Sequence, residues 1–194
     1  AGDIVPKKFK KPISLSGLII SCCYRVEVWH INHLLQERKA FMSITDKLES
    51  MGLSLPSAAA PAANYVPYVV SGKQIFISGQ IPFLNGEPMH LGRVGDDLSV
   101  QEGAEAAKAC ALNILAQANA AVDGDWSKIK RLVKLGGFVR SAKDFKDQPE
   151  VINGASNLFV EVMGDAGRHA RFAVSAADLP RGVAVEIDAI FELA

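Results

Sequence analysis

His169-Ala-Arg-Phe-Ala-Val-Ser-Ala-Ala-Asp178-Leu-Pro-Arg-Gly182-Val-Ala-Val-Glu-Ile-Asp-Ala-Ile-Phe-Glu-Leu193 sets the architecture of the chain. Two runs in it read as strands, His169 to Ala177 and Val183 to Leu193. The second alternates, with Val183, Val185, Ile187, Ala189 and Phe191 on one face and Glu186, Asp188 and Ile190 on the other. Asp178 to Gly182 carries Pro and Gly, as a connection between strands should. A chain closing on an apolar strand needs a sheet to receive it. Within that sheet Arg171 and Glu186 are the groups with chemistry to offer, and they are expected to lie next to each other across it.

Working outward, Gln148-Pro149 opens a helix with proline in its first turn. Its buried stripe is Val151, Ala155, Leu158, Phe159 and Val162, and Gly164 to Arg168 closes it. Ile129 to Val139 reads as a strand, with Gly136-Gly137 marking a bulge or a place where another backbone comes close. Ser99-Val-Gln-Glu102 is a capping box opening an alanine-rich helix that runs to Val122. Its many small residues suit close packing on a sheet. Tyr65 to Ser71 and Gln74 to Ser78 form a hairpin through Gly72-Lys73. Residues 83–98 read as a glycine-dotted loop with a turn at Asn85-Gly86, and His90 there reads as a surface residue. Ser43 caps a short helix to Met51, and Leu53 to Ala63 is a linker or an extended approach to the first strand. The order β-β-α-β-α-β-β gives an α+β fold, one sheet with two helices on one face. The other face carries Val, Ile and Phe, so it is expected to pack against further copies of the chain.

Composition narrows the function. The 194 residues hold 21 Lys/Arg and 21 Asp/Glu, but unevenly. Residues 1–42 have a net charge of +4 and residues 43–194 one of −4. An acidic body lacks the basic stripe that nucleic acid requires, so no nucleic-acid partner is expected. Cys22, Cys23 and Cys110 make neither a disulfide framework nor a zinc site, which fits a reducing, cytoplasmic setting. Cys110, inside the alanine-rich helix, reads as a small buried hydrophobe. The apolar run Ile13 to Cys23 follows a basic start but is too short to span a membrane, and no membrane partner is expected. Residues 1–42 read as an N-terminal extension and 43–194 as the domain. His30 and His33 have no third ligand at fitting spacing.

Residues 43–194 resemble the RidA/YjgF family, the reactive-intermediate deaminases also described as endoribonuclease L-PSP-like proteins. The resemblance rests on Tyr65, Ile77-Ser-Gly-Gln-Ile-Pro82, Asn153 in Val-Ile-Asn-Gly, Arg171 in Ala-Arg-Phe-Ala-Val, and Leu179-Pro followed by Val185-Glu-Ile-Asp-Ala-Ile190. It implies a chorismate mutase-like fold and a homotrimeric barrel with sites in the clefts between subunits. It implies that Arg171 clamps a substrate carboxylate, that Glu186 orients water, and that Tyr65, Asn153 and Gly79 line the cleft. Three positions depart from the family pattern: Asn64 stands for a frequent proline, Ala173 for a common cysteine, and His169 for Pro or Ala.

The residues fit that chemistry. The carboxylate of a 2-imino or enamine acid suits a guanidinium fork. Hydrolysis of the C=N bond needs water held at the imine carbon and a proton route to nitrogen, which a carboxyl group such as Glu186 supplies. The partner expected is a small imino or keto acid, with no cofactor and no metal. Two alternatives stand beside an enamine/imine deaminase: a non-catalytic carboxylate-binding trimer and an endoribonuclease.

Overall fold

A computed structural model describes residues 43–60, 64–84 and 86–194. The readings placed on residues 1–42, including Cys22, Cys23 and the His30/His33 pair, and on Asn85 lie outside the described residues. The elements are α1 (Ile44–Ser50), β1 (Tyr68–Ser71), β2 (Gln74–Gln80), β3 (Phe83–Leu84), β4 (Glu87–Pro88), α2 (Val100–Ala121), β5 (Ile129–Arg140), α3 (Gln148–Met163), β6 (Ala170–Ala176) and β7 (Val185–Leu193).

Five strands make one sheet in the order β1-β2-β7-β5-β6. All neighbours are antiparallel except β5 and β6, which run parallel through the α3 crossover. The C-terminal strand is therefore not at an edge: β7 lies at the centre, and β5 separates it from β6. Arg171 and Glu186 are consequently not adjacent across the sheet, as the sequence reading expected. Arg171 pairs in register with Leu135 and Glu186 with Phe138.

Both long helices cover one face. The alternation in β7 is realised as read, with Val185, Ile187, Ala189 and Phe191 buried against them. α2 presents Ala106, Ala107, Ala111 and Ala118 inward, all fully buried, and these short side chains let its axis approach the strands. Its start is the expected box: Ser99 Oγ accepts the Glu102 amide at 3.2 Å, and Glu102 Oε2 accepts the Ser99 amide at 2.8 Å. Ser43 and Asp46 make the same reciprocal pair at α1. Cys110 is fully buried in α2, and burial pushes its thiol well above the usual range.

Several boundaries differ from the sequence reading. β1 begins at Tyr68, because residues 64–67 bend before pairing starts. The 83–98 loop contains the β3–β4 hairpin. His90 is mostly buried, with Nε2 3.6 Å from Glu105 Oε2 and no hydrogen-bond partner. The segment after α1 is no free linker: Gln117 on α2 donates to the Ala59 carbonyl at 2.8 Å. In β5 the bulges fall between Ile129 and Arg131 and between Leu132 and Lys134, not at Gly136-Gly137. The second of these inserts one residue, which is why Leu132 and Leu135, three apart, both face the helices. Gly136 and Gly137 pair regularly and are places of close approach: a Cβ would strike Asp188 Oδ1 on one face and Ile152 on the other.

The face without helices carries Val69, Phe76, Phe138 and Val174, each more than a third exposed. Phe172 meets Phe138 edge to face at 5.3 Å between ring centroids.

Candidate functional site

Glu186 stands on the open face of the central strand and is half-buried. Burial, and then the neighbouring Asp188 on the same face, hold its carboxyl above the usual carboxylate range. It fits there because of Gly79. β2 spends two residues, Ser78 and Gly79, against one of β7, Asp188, between the Ile77–Ala189 and Gln80–Ile187 pairs. The bulge brings Gly79 against Glu186, and a Cβ at residue 79 would occupy the place of Glu186 Oε1. Gly79, Phe138, Leu179, Pro180, Glu186 and Asp188 border an open trough of about 480 Å³.

Gly79 also borders a second, smaller pocket of about 160 Å³. Tyr65, half exposed, lines it together with Pro67, Phe83, Asn113 and Arg181. Three of the sequence candidates are thus contiguous: Tyr65 and Gly79 share the smaller pocket, and Gly79 and Glu186 the trough.

The other two lie elsewhere on the single chain. Arg171 is on β6, at the edge of the sheet, and points to the helix side, where its guanidinium donates to Ser156 Oγ at 2.9 Å and to the Pro149 carbonyl at 3.2 Å. The Ser156 hydroxyl is 3.1 Å from His169 Nε2, and His169 Nδ1 lies 2.6 Å from the Gly167 carbonyl. A carbonyl only accepts, so Nδ1 carries the proton, Nε2 accepts from Ser156, and Ser156 accepts from Arg171. Burial, assisted by Arg171, lowers the His169 pKa and keeps the ring neutral in this chain of bonds. Asn153 is on the outer side of α3, donates to Glu150 Oε2 at 3.0 Å, and borders a polar groove with Gln101, Glu105 and Lys108.

The residues that match are in the order and setting of a known fold family. A family model described as "YjgF/chorismate mutase-like, putative endoribonuclease" matches residues 45–188. The chain belongs to the YjgF family. Protein TCP17 of Trypanosoma cruzi is 49% identical over 151 residues, 77% of this chain and 94% of that one. Atu1372 of Agrobacterium tumefaciens, a protein of unknown function, is 50% identical with a TM-score of 0.74, over 78% of this chain and 92% of that one. Escherichia coli TdcF, solved with bound serine, is 27% identical with a TM-score of 0.52, over 71% and 94%. The mixed α+β sheet read from the sequence is the architecture of the YjgF family.

Sequence reading passed over several residues of this candidate site. Asn113 is a nearly buried amide in an alanine-rich helix, and its side chain donates to the carbonyls of Ile81 and Phe83 at 3.0 Å each, holding the wall of the smaller pocket. A polar residue on an otherwise apolar helix stripe was the available signal. Asp178 accepts from both Arg93 and Arg140 at 3.1 Å and so ties down the loop before β7. Among the described residues no helix is long and apolar enough to cross a membrane.

Proposed function

We propose that the protein hydrolyses reactive 2-imino and enamine acids to 2-keto acids and ammonia, in sites formed between copies of the chain. The observation that carries this reading is the half-buried Glu186, seated in the notch that Gly79 leaves and held above its usual pKa. A carboxyl group of that kind both takes and returns a proton in the course of a reaction. Water adds to the imine carbon while Glu186 takes its proton and delivers it to nitrogen. The carbinolamine then collapses to the C=O group, and ammonia leaves with the hydroxyl proton passed through the same carboxyl. The substrate is already electrophilic, so positioning supplies much of the acceleration.

Arg171 enters from a neighbouring copy. In one chain it lies on the opposite side of the sheet from Glu186. It is nevertheless on the outer strand, pinned by Ser156 and Pro149, with N–H groups to spare for a carboxylate. An apolar open face with Phe76, Phe138 and Val174 exposed calls for such a neighbour, and a homotrimer closes the arrangement. The serine held by TdcF is an amino acid of the size this reading requires. RNA suits the body less well: Lys130 is paired with Glu192 at 2.7 Å, and Lys134 lies over Phe172.

Ammonia release from 2-aminoacrylate generated in situ tests the proposal. The parent should accelerate it over buffer, and Glu186→Gln should lower kcat/KM by about 100-fold or more. Folded protein giving no acceleration rejects deamination. The serine-bound neighbour favours one second reading, a carboxylate-binding assembly without catalysis; in that case Glu186→Gln changes no rate.

A further inference from the structure

The smaller pocket beside Glu186 contains an arginine that the reaction above does not use. Arg181 sits in the Leu179–Gly182 turn, which straddles the two cavities: Leu179 and Pro180 border the trough, Arg181 the smaller pocket. Its backbone has φ +58°, a left-handed conformation that a side-chain-bearing residue adopts at a cost. The turn is braced from several sides. Gly182 N–H bonds to the Leu179 carbonyl at 3.1 Å, the Gly92 amide donates to the Gly182 carbonyl at 3.0 Å, and Arg140 Nη1 donates to the same oxygen at 3.1 Å. The guanidinium of Arg181 is thereby laid over the Phe83 ring, 5.2 Å from its centroid, at the wall of the 160 Å³ pocket.

The neighbouring arginines are already matched, and Arg181 is not. The acid of the same loop, Asp178, holds Arg93 and Arg140. Among the described residues Arg181 makes no ion pair and no hydrogen bond through its side chain. An exposed cation with no partner among the described residues, laid over Phe83 at a small pocket next to the reacting carboxyl group, is a receptor for an anion on the ligand. The pocket is too small for a large tail and accommodates a short chain ending in a carboxylate.

We propose that Arg181 reads a second carboxylate, so that the site prefers imino acids derived from dicarboxylic amino acids over those with a short apolar side chain. The substrate class rests on the deaminase reading; the anion subsite does not. With the partner's Arg171 on the α-carboxylate and Arg181 on the distal one, the imine carbon is held between them near Glu186.

Calorimetry on the full chain with succinate and with butyrate, which have the same carbon count but two carboxylates against one, isolates the second charge. Succinate should bind about tenfold more tightly. Arg181→Gly should abolish that preference, and Arg181→Lys should keep part of it. Glycine relieves the positive φ, so this variant should melt no lower than the parent. In turnover, the kcat/KM ratio of 2-iminosuccinate to 2-iminopropanoate, each generated in situ, should fall by a similar factor in Arg181→Gly. Equal affinity for the two acids, no binding of either, or an Arg181→Gly effect that is the same on both overturns the proposal. An Arg181-dependent preference for succinate without hydrolysis of any imine upholds the subsite and removes the deaminase reading. Hydrolysis with a substrate ratio indifferent to Arg181 does the reverse.

Discussion

The two faces of the sheet differ in kind. The covered face is continuous hydrocarbon: Ile75, Ile77, Leu135, Ile187 and Phe191 are buried under α2 and α3. The open face mixes exposed Phe76, Phe138 and Val174 with Glu186 and Asp188 at its centre. Burial, and then the Asp188 carboxylate beside it, raise the cost of ionising Glu186, which no stability argument requires. The covered face therefore accounts for folding, and the open face is where the proposed association and chemistry lie. Gly79, Gly136 and Gly137 show how the faces constrain each other, because each omits a side chain where a neighbouring one must pass.

The largest test of that division is on the covered side. Phe159 is fully buried and meets Phe191 at 6.1 Å between centroids, so Phe159→Ala should cost about 4 kcal/mol in chemical denaturation. On the open side Phe76→Glu should cost about 1 kcal/mol or less within one chain. It should nonetheless reduce the mass seen by sedimentation, since it puts a charge on the surface proposed to receive other copies. Equal masses for parent and variant would mean that the open face is not where copies meet.

The smallest expected effect concerns pH. Because Glu186 is raised, mainly by burial and then by Asp188, the acid limb of kcat/KM should lie above the ordinary value of 4.5 and move down in Asp188→Asn. The sign for stability is opposite to that of a salt-bridged acid. The fold favours the protonated carboxyl, so the stabilisation is present below the unfolded pKa and is lost as pH rises through the folded one. Glu186→Gln should accordingly gain stability relative to the parent between pH 4 and pH 7, measured by urea midpoints at both pH values. No change in that difference would show that Glu186 is as well solvated folded as unfolded.

Much of this was legible in the residues. The period-two pattern of Val185–Phe191 and the three- and four-residue spacing in the alanine-rich helix follow from local geometry alone, and so do the Ser99 and Ser43 capping boxes. The positions of Tyr65, Gly79 and Glu186 in ordered motifs placed three contiguous residues. Asn113 left only the signal of a polar residue on an apolar stripe, and Arg181 left none, because an arginine in a turn acquires meaning only from the pocket it faces. The β5 bulges were hidden as well, since an inserted residue leaves composition unchanged and only the partner strand reveals it.

Side-chain chemistry and periodicities of a few residues were enough to give the long helices and the strands of the main sheet, their sequence along the chain and their apolar faces, but not the short β3–β4 hairpin. Only the tertiary structure decided strand order. The parallel crossover through α3 sends β6 to the rim and leaves β7 in the middle, which separates Arg171 from Glu186 within one chain. Strand order depends on which distant segments share hydrogen bonds, a matter of global packing that no local pattern encodes.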